Sequence, residues 1–194
     1  MRIAILGNGG FGTAMALTLE RATHDVSMWG HDATYTASIG ASRQNPRYLA
    51  NVTLPDPIRV SSDAALVLDR AEVILVAVPT QHIRSVLSGM LDSLGGDVPI
   101  VSLAKGLEQA TSMRPSEIIA EVVASKARAF ALSGPSHAEE IAHGQPTTVV
   151  VAGDGDEALK SLQMALQTDR FRVYRNADIL GLELCGALTN GIAL

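Results

Sequence analysis

The chain has 194 residues, is 47% apolar and 18% charged, and carries a formal net charge of −5. That length holds one good-sized domain, or one domain and part of another, and the composition supports a packed core and excludes a disordered chain. The acidic balance leaves no electrostatic footprint for nucleic acid or an anionic membrane, so any phosphate must be held by local donors against the overall field.

The single cysteine, Cys185, excludes an intrachain disulfide and fits a reducing compartment such as the cytoplasm. Met1 and Arg2 lead directly into an apolar run broken by Gly7, without the length or cleavage site of a signal peptide. The longest apolar segment, residues 179–194, contains Glu183, Thr189 and Asn190 and is short for a membrane span.

The opening residues organise the rest. RIAIL over residues 2–6 has the pattern of a buried parallel strand, and residues 13–21 that of a helix. Between them Gly7, Gly9 and Gly12 stand at G-x-G-x-x-G spacing. Gly7 permits a tight turn, Gly9 lets the backbone approach a pyrophosphate, and Gly12 lets helix and strand pack closely. The helix N-terminus adds free N–H groups and partial positive charge. This strand–turn–helix context points to dinucleotide binding in an α/β fold.

A second strand over 26–30 follows, ending at His31 and Asp32 where such folds meet the adenosine ribose. His31 can stack on adenine or bond a 2′-phosphate; Asp32 can bond the ribose or cap the next helix, over 33–43. NAD and NADP both stay open, with NADP slightly favoured. Residues 45–57, with three prolines, are expected to be irregular. A short strand over 58–60, a helix over 63–69 capped by Ser61 or Ser62, and a central strand over 73–78 come next. Pro79 ends that strand, and Thr80 is expected to cap a helix over 81–94.

A strand over 99–103 leads to Lys105, at the sheet edge where open α/β sheets bind ligands; it can hold a phosphate or carboxylate, or be an ordinary surface lysine. A helix over 115–124 and a strand over 129–132 precede Ser136 and Glu139, which match an S-x-x-E capping box and a second helix start at that edge. His137 and His143 have no partners at metal-ligand spacing, and no metal site is expected. A strand over 147–151, a helix over 156–166 and a strand over 170–174 complete the pattern. Asp178 is expected to cap a last helix over 179–194, whose Gly181, Gly186 and Gly191 imply close packing. Its apolar ending without a cap has the look of a cut.

Along nearly its whole length the chain resembles the NAD(P)-dependent glycerol-3-phosphate dehydrogenases. The segments that carry the resemblance are GNGGFGTA at 7–14, WGHD at 29–32, AVPTQ at 77–81, KGLE at 105–108, SGPSHA at 133–138, FRVY at 171–174 and GALTN at 186–190. The resemblance implies a doubly wound, mostly parallel Rossmann-type sheet over 1–177, with residues 178–194 starting a truncated all-helical C-terminal domain that completes the substrate site and a homodimer. It implies interconversion of sn-glycerol 3-phosphate and dihydroxyacetone phosphate with NAD or NADP. Gly7, Gly9, Gly10, Phe11, Gly12, His31, Pro79 and Ala138 would contact the cofactor. Lys105 would sit between cofactor and substrate, Gly134 and Ser136 would line the substrate site, and position 189 with Asn190 would be catalytic. Position 189 departs from the pattern: the family has a general-base lysine where this chain has Thr189, whose hydroxyl is not basic near neutral pH.

Overall fold

The computed structural model describes residues 1–125 and 128–192, with side chains described through residue 188. In chain order the elements are β1 (Arg2–Leu6), α1 (Gly10–Arg21), β2 (Asp25–Trp29), α2 (Ala33–Ser42), β3 (Gln44–Asn45), β4 (Leu49–Thr53), β5 (Arg59–Ser61), α3 (Ala64–Leu68), β6 (Val73–Val76), α4 (Thr80–Ser88), β7 (Ile100–Ser102), α5 (Pro115–Val122), β8 (Ala129–Ser133), α6 (Ala138–Ala142), β9 (Thr147–Ala152), α7 (Asp156–Leu166), β10 (Phe171–Asn176) and α8 (Ile179–Ile192). The main sheet has eight strands in the order β10-β9-β8-β7-β6-β1-β2-β5. Every neighbouring pair in it is parallel except β8 with β9. This is the doubly wound α/β sheet expected.

The apolar runs follow from burial on both faces. In β1, Ile3 and Ile5 enter one core with Met15, Leu19 and Ile39, while Ala4 and Leu6 enter the other with Ile83, Leu87 and Ile118. The same alternation splits β6: Val73 and Leu75 join the first core, Ile74 and Val76 the second. Each strand thus needs apolar residues at every position.

Several expectations are corrected. Residues 44–53 are not irregular: β3 and β4 pair antiparallel with a register shift at Asn45, a break that hides the pairing from a periodicity argument. α3 is capped by Asp63, which accepts from the N–H groups of Ala65 and Leu66, while Ser61 accepts from the Asp63 N–H. Thr80 is the first residue of α4, not its cap; Pro79 holds that place. α4 ends at Ser88 before Gly89, and a short 3-10 turn at Leu91–Ser93 fills the rest of the expected helix. α1 begins at Gly10, three residues early, so Gly12 lies inside its first turn. Two strand predictions slip by one residue, to β2 and β5, and β10 runs on to Asn176. Asp178 does cap α8, accepting from the Gly181 N–H at 2.8 Å; the expected helix end at Leu194 lies outside the described residues.

α8 is tied back to the body by a buried carboxylate. Glu183 is 6% exposed. It accepts from the Ser116 N–H at 2.8 Å, Ser116 Oγ at 2.6 Å and Arg114 Nη1 at 2.8 Å, all at the start of α5. Burial outweighs these donors and pushes its pKa above the ordinary carboxylate value. An acid raised in this way binds its proton more tightly folded than unfolded, so its contribution to stability falls as pH climbs from 4.5 to the raised folded value, then levels. We therefore expect the stability of the parent relative to Glu183→Gln, from urea denaturation, to decline across that interval. A relative stability that rises instead would mean that Ser116 and Arg114 outweigh burial.

Candidate cofactor and active site

The chain leaves β1 in one direction for β2 and in the other for β6, so the strand order reverses between β1 and β6. Open α/β sheets bind ligands in the crevice outside the carboxyl ends of the strands at such a point. A cavity of about 430 Å³ lies there, and Gly7, Gly9, Phe11, His31, Tyr48 and Pro79 are among its lining residues. A larger cavity, about 780 Å³, lies between α5 and the start of α8 and contains none of the predicted site residues.

The glycines differ in what they do. Gly7 has φ +126°, a conformation that side chains rarely adopt, and a methyl there would lie 2.7 Å from the Ala77 carbonyl oxygen. A methyl on Gly12 would collide with the Gly7 carbonyl oxygen, so the first turn of α1 packs directly on the end of β1. Gly9 is the opposite case. Its φ of −70° suits any residue, and a methyl there would meet nothing within 4 Å. The space at Gly9, under the unpaired N–H groups of the first turn of α1, fits a pyrophosphate. Gly10 is covered on its far side by the Tyr48 carbonyl oxygen, 2.7 Å from where a methyl would stand, with the Ala138 Cβ 3.6 Å away. Ala138 therefore lies beside the loop, packed against the first core.

The β3–β4 hairpin braces this loop. Buried Asn45 donates through Nδ2 to the Asn8 carbonyl and to Thr13 Oγ1, both at 2.8 Å, and accepts from Tyr35 Oη at 2.6 Å. Thr13 Oγ1 in turn donates to the Gly9 carbonyl at 2.9 Å. The sequence reading missed Asn45 and Tyr48, because a polar residue and an aromatic in a proline-flanked stretch carry no periodic signal. At the end of β2, Asp32 caps α2 by accepting from the Tyr35 N–H at 3.0 Å, the second of its two predicted roles. His31 is exposed and meets Trp29 edge-on, with ring centroids 6.1 Å apart.

The other side of the crevice is built around Lys105. Its Nζ donates to the Gly134 carbonyl at 3.2 Å, and Ser136 Oγ donates to the same oxygen at 3.2 Å. Lys105, Gly134 and Ser136 are thus brought together. The AVPTQ and KGLE segments are one unit: Thr80 Oγ1 donates to the Lys105 carbonyl at 3.1 Å, Gln81 Nε2 to the Leu107 carbonyl at 2.8 Å, and the Gln109 N–H to Gln81 Oε1 at 2.9 Å. Glu108 closes the loop by pairing with Arg84, at 3.0 Å, and with Thr111. Those donors, Arg84 first, hold its pKa below the ordinary value.

The expected capping box at Ser136 and Glu139 does not form. The Ser136 hydroxyl is engaged by Gly134, α6 starts only at Ala138, and the cap position is His137 without a side-chain bond. Gly134 is needed for packing, since a methyl would lie 2.8 Å from the Thr148 carbonyl oxygen of β9. α8 comes close at Gly186, where a methyl would stand 2.7 Å from Ser133 Oγ and 3.9 Å from Lys105 Cγ. Positions 189 and 190 follow three and four residues on in α8; the side chains of Thr189 and Asn190 lie outside those described. Among the described residues no cluster of His, Cys, Asp or Glu can hold a metal, and no helix is long and apolar enough to cross a membrane.

Residues 2–159 match the family model for the N-terminus of NAD-dependent glycerol-3-phosphate dehydrogenase. The chain belongs to this family. It is 42% identical over 196 residues to glycerol-3-phosphate dehydrogenase [NAD(P)+] of Chlorobium phaeobacteroides, covering 100% of this chain and 59% of that protein. It is also 42% identical over 195 residues to the Bacillus pumilus enzyme of the same name, covering 56% of it. The crystal structure of the Coxiella burnetii glycerol-3-phosphate dehydrogenase superposes with a TM-score of 0.91 at 34% identity, over 98% of this chain and 58% of that one. The chain thus spans less than two thirds of the length of these relatives.

The geometry of the loop separates binding from folding. Gly9→Val should cost only about 1 kcal/mol or less, the loss of a good N-cap residue, yet abolish NADH binding by filling the pyrophosphate space. Gly12→Val should cost about 1–3 kcal/mol through overpacking of α1 on β1. Urea denaturation and nicotinamide fluorescence titration read the two effects. Unchanged NADH affinity in Gly9→Val would remove the loop from the site.

Proposed function

We propose that the chain is the cofactor-binding part of an oxidoreductase that interconverts sn-glycerol 3-phosphate and dihydroxyacetone phosphate with NAD or NADP. The observation that carries this is the meeting, at one sheet edge, of the open Gly9 cradle and the Lys105–Gly134–Ser136 cluster, in a chain of this family. The nicotinamide supplies the hydride acceptor or donor. The chain's own residues bind, orient and handle charge. The glycine loop and the N-terminus of α1 hold the pyrophosphate; His31, Phe11 and Pro79 line the cavity around it. The Lys105 ammonium orients the substrate oxygen and stabilises the negative charge that develops on it during reduction. Gly134 and Ser136 line the substrate side.

In this reading residues 1–177 are the dinucleotide domain and residues 178–194 begin an all-helical domain that completes the substrate site. The complete protein is, in this reading, a cytoplasmic homodimer without nucleic-acid or membrane partners; the net charge of −5 on these 194 residues supports the absence of those two partners. Thr189 favours a second reading, a dinucleotide-binding module without turnover, because position 189 then lacks a group able to take the hydroxyl proton.

The complete protein with Thr189 should oxidise NADH or NADPH slowly with dihydroxyacetone phosphate. Thr189→Lys should raise kcat by ~10²–10⁴-fold, the usual worth of a general base, with a smaller change in cofactor affinity. Lys105→Ala should slow both versions, since it acts on a different atom. Steady-state rates of the four proteins test this. If the Thr189 protein already matches Thr189→Lys, proton transfer runs through another group; if neither turns over, the non-catalytic module is favoured.

A further inference from the structure

The carboxyl end of β2 carries His31, which lines the cavity, and Asp32, which is occupied elsewhere. One oxygen of Asp32 caps α2 and the other faces Arg47 Nη1 at 3.8 Å. A carboxylate that bonds a ribose 2′-hydroxyl, as in NAD-selective folds of this type, is therefore already engaged and partly neutralised.

Arg47 itself is held in place. Its N–H donates to Tyr35 Oη at 3.1 Å, and its guanidinium stacks 4.1 Å from the Tyr35 ring centroid and 6.0 Å from that of Tyr48. Tyr48, the next residue, lines the cavity with His31. Asn45, two residues earlier, fixes this turn to the glycine loop through the Asn8 carbonyl. The guanidinium is thus a cation on an aromatic platform beside Asp32 at the end of β2, next to cavity-lining Tyr48 though not itself in the cavity wall. Its contact with Asp32 is long and both side chains are half exposed, so the pair is weak and leaves the guanidinium able to take an anion.

We propose that Arg47 recognises a phosphate on the 2′ position of the cofactor ribose and gives this chain its preference for NADP over NAD. The planar guanidinium donates to phosphate through two parallel N–H groups, and stacking on Tyr35 holds the fork in orientation. His31 supplies a neighbouring donor. This rests on the dinucleotide reading of the cavity, and deepens it.

The test is fluorescence titration of the 194-residue chain with NADPH and NADH, with adenosine 2′,5′-bisphosphate and AMP as competitors. The parent should bind NADPH more tightly than NADH, and a parent that binds NADH as tightly or more tightly would overturn the proposal. Arg47→Gln should raise the Kd for NADPH about tenfold or more, the worth of a charge-assisted hydrogen bond, and move that for NADH by less than about twofold. The bisphosphate should lose its advantage over AMP, and Arg47→Lys should recover only part of it. Equal weakening of both cofactors would make Arg47 a support for the turn and overturn the proposal, as would unchanged NADPH affinity in Arg47→Gln. A parent that binds neither cofactor would sink the dinucleotide reading itself, a result distinct from either.

Discussion

The close approach of α1 to the end of β1 is the constraint on which the site depends. The Gly7 carbonyl lies where a Gly12 side chain would stand, and Ala77 at the end of β6 crowds both glycines. Three chain segments, the ends of β1 and β6 and the start of α1, therefore meet with backbone against backbone. No side chain can be inserted without moving a strand of the central sheet. That closeness aims the first-turn N–H groups of α1 at the crevice where the strand order reverses, and a pyrophosphate needs those donors because the protein as a whole is acidic.

Polar side chains then brace what the glycines leave loose. A glycine-rich loop has much backbone entropy to lose, and ordering it in advance reduces the cost of binding. Asn45 does this from the hairpin, satisfying the Asn8 carbonyl and Thr13 together. Across the crevice, Thr80, Gln81 and Arg84 of α4 grip the 105–109 loop at successive points. Two carboxylates in these supports titrate in opposite directions. Glu108 faces a guanidinium and a hydroxyl, and its charge is favoured; at Glu183, equally shielded from solvent, desolvation outweighs the donors of Ser116 and Arg114.

The sheet and its glycine turn were legible in the sequence because their signals are local. Continuous apolar runs such as residues 73–76 mark strands covered on both faces, and the spacing of Gly7, Gly9 and Gly12 marks the turn. What was not legible depends on partners distant in the chain. Asn45 braces residues 8 and 13 from more than thirty positions away, at a register shift that breaks strand alternation. The capping box at Ser136 failed for a different and local reason: α6 starts only at Ala138 with His137 at the cap position, and the Ser136 hydroxyl donates two residues back to the Gly134 carbonyl, to which Lys105 also donates. Local capping rules name a capable residue, and where the helix actually starts decides whether it caps. At Asp32 the local rule held, because the competing partner, Arg47, can approach the second oxygen without disturbing the cap.

The last helix couples these two halves. A boundary drawn at Asp178 separates α8 from the sheet by sequence, yet the packing joins them. Gly186 lets the helix backbone approach Ser133 and the stem of Lys105, and Glu183, one turn earlier, fixes the helix to the start of α5. Rotating α8 to relieve either contact would break the other, since residues three apart share a face. The environment of Lys105 is thus set jointly by the 105–109 loop and by α8.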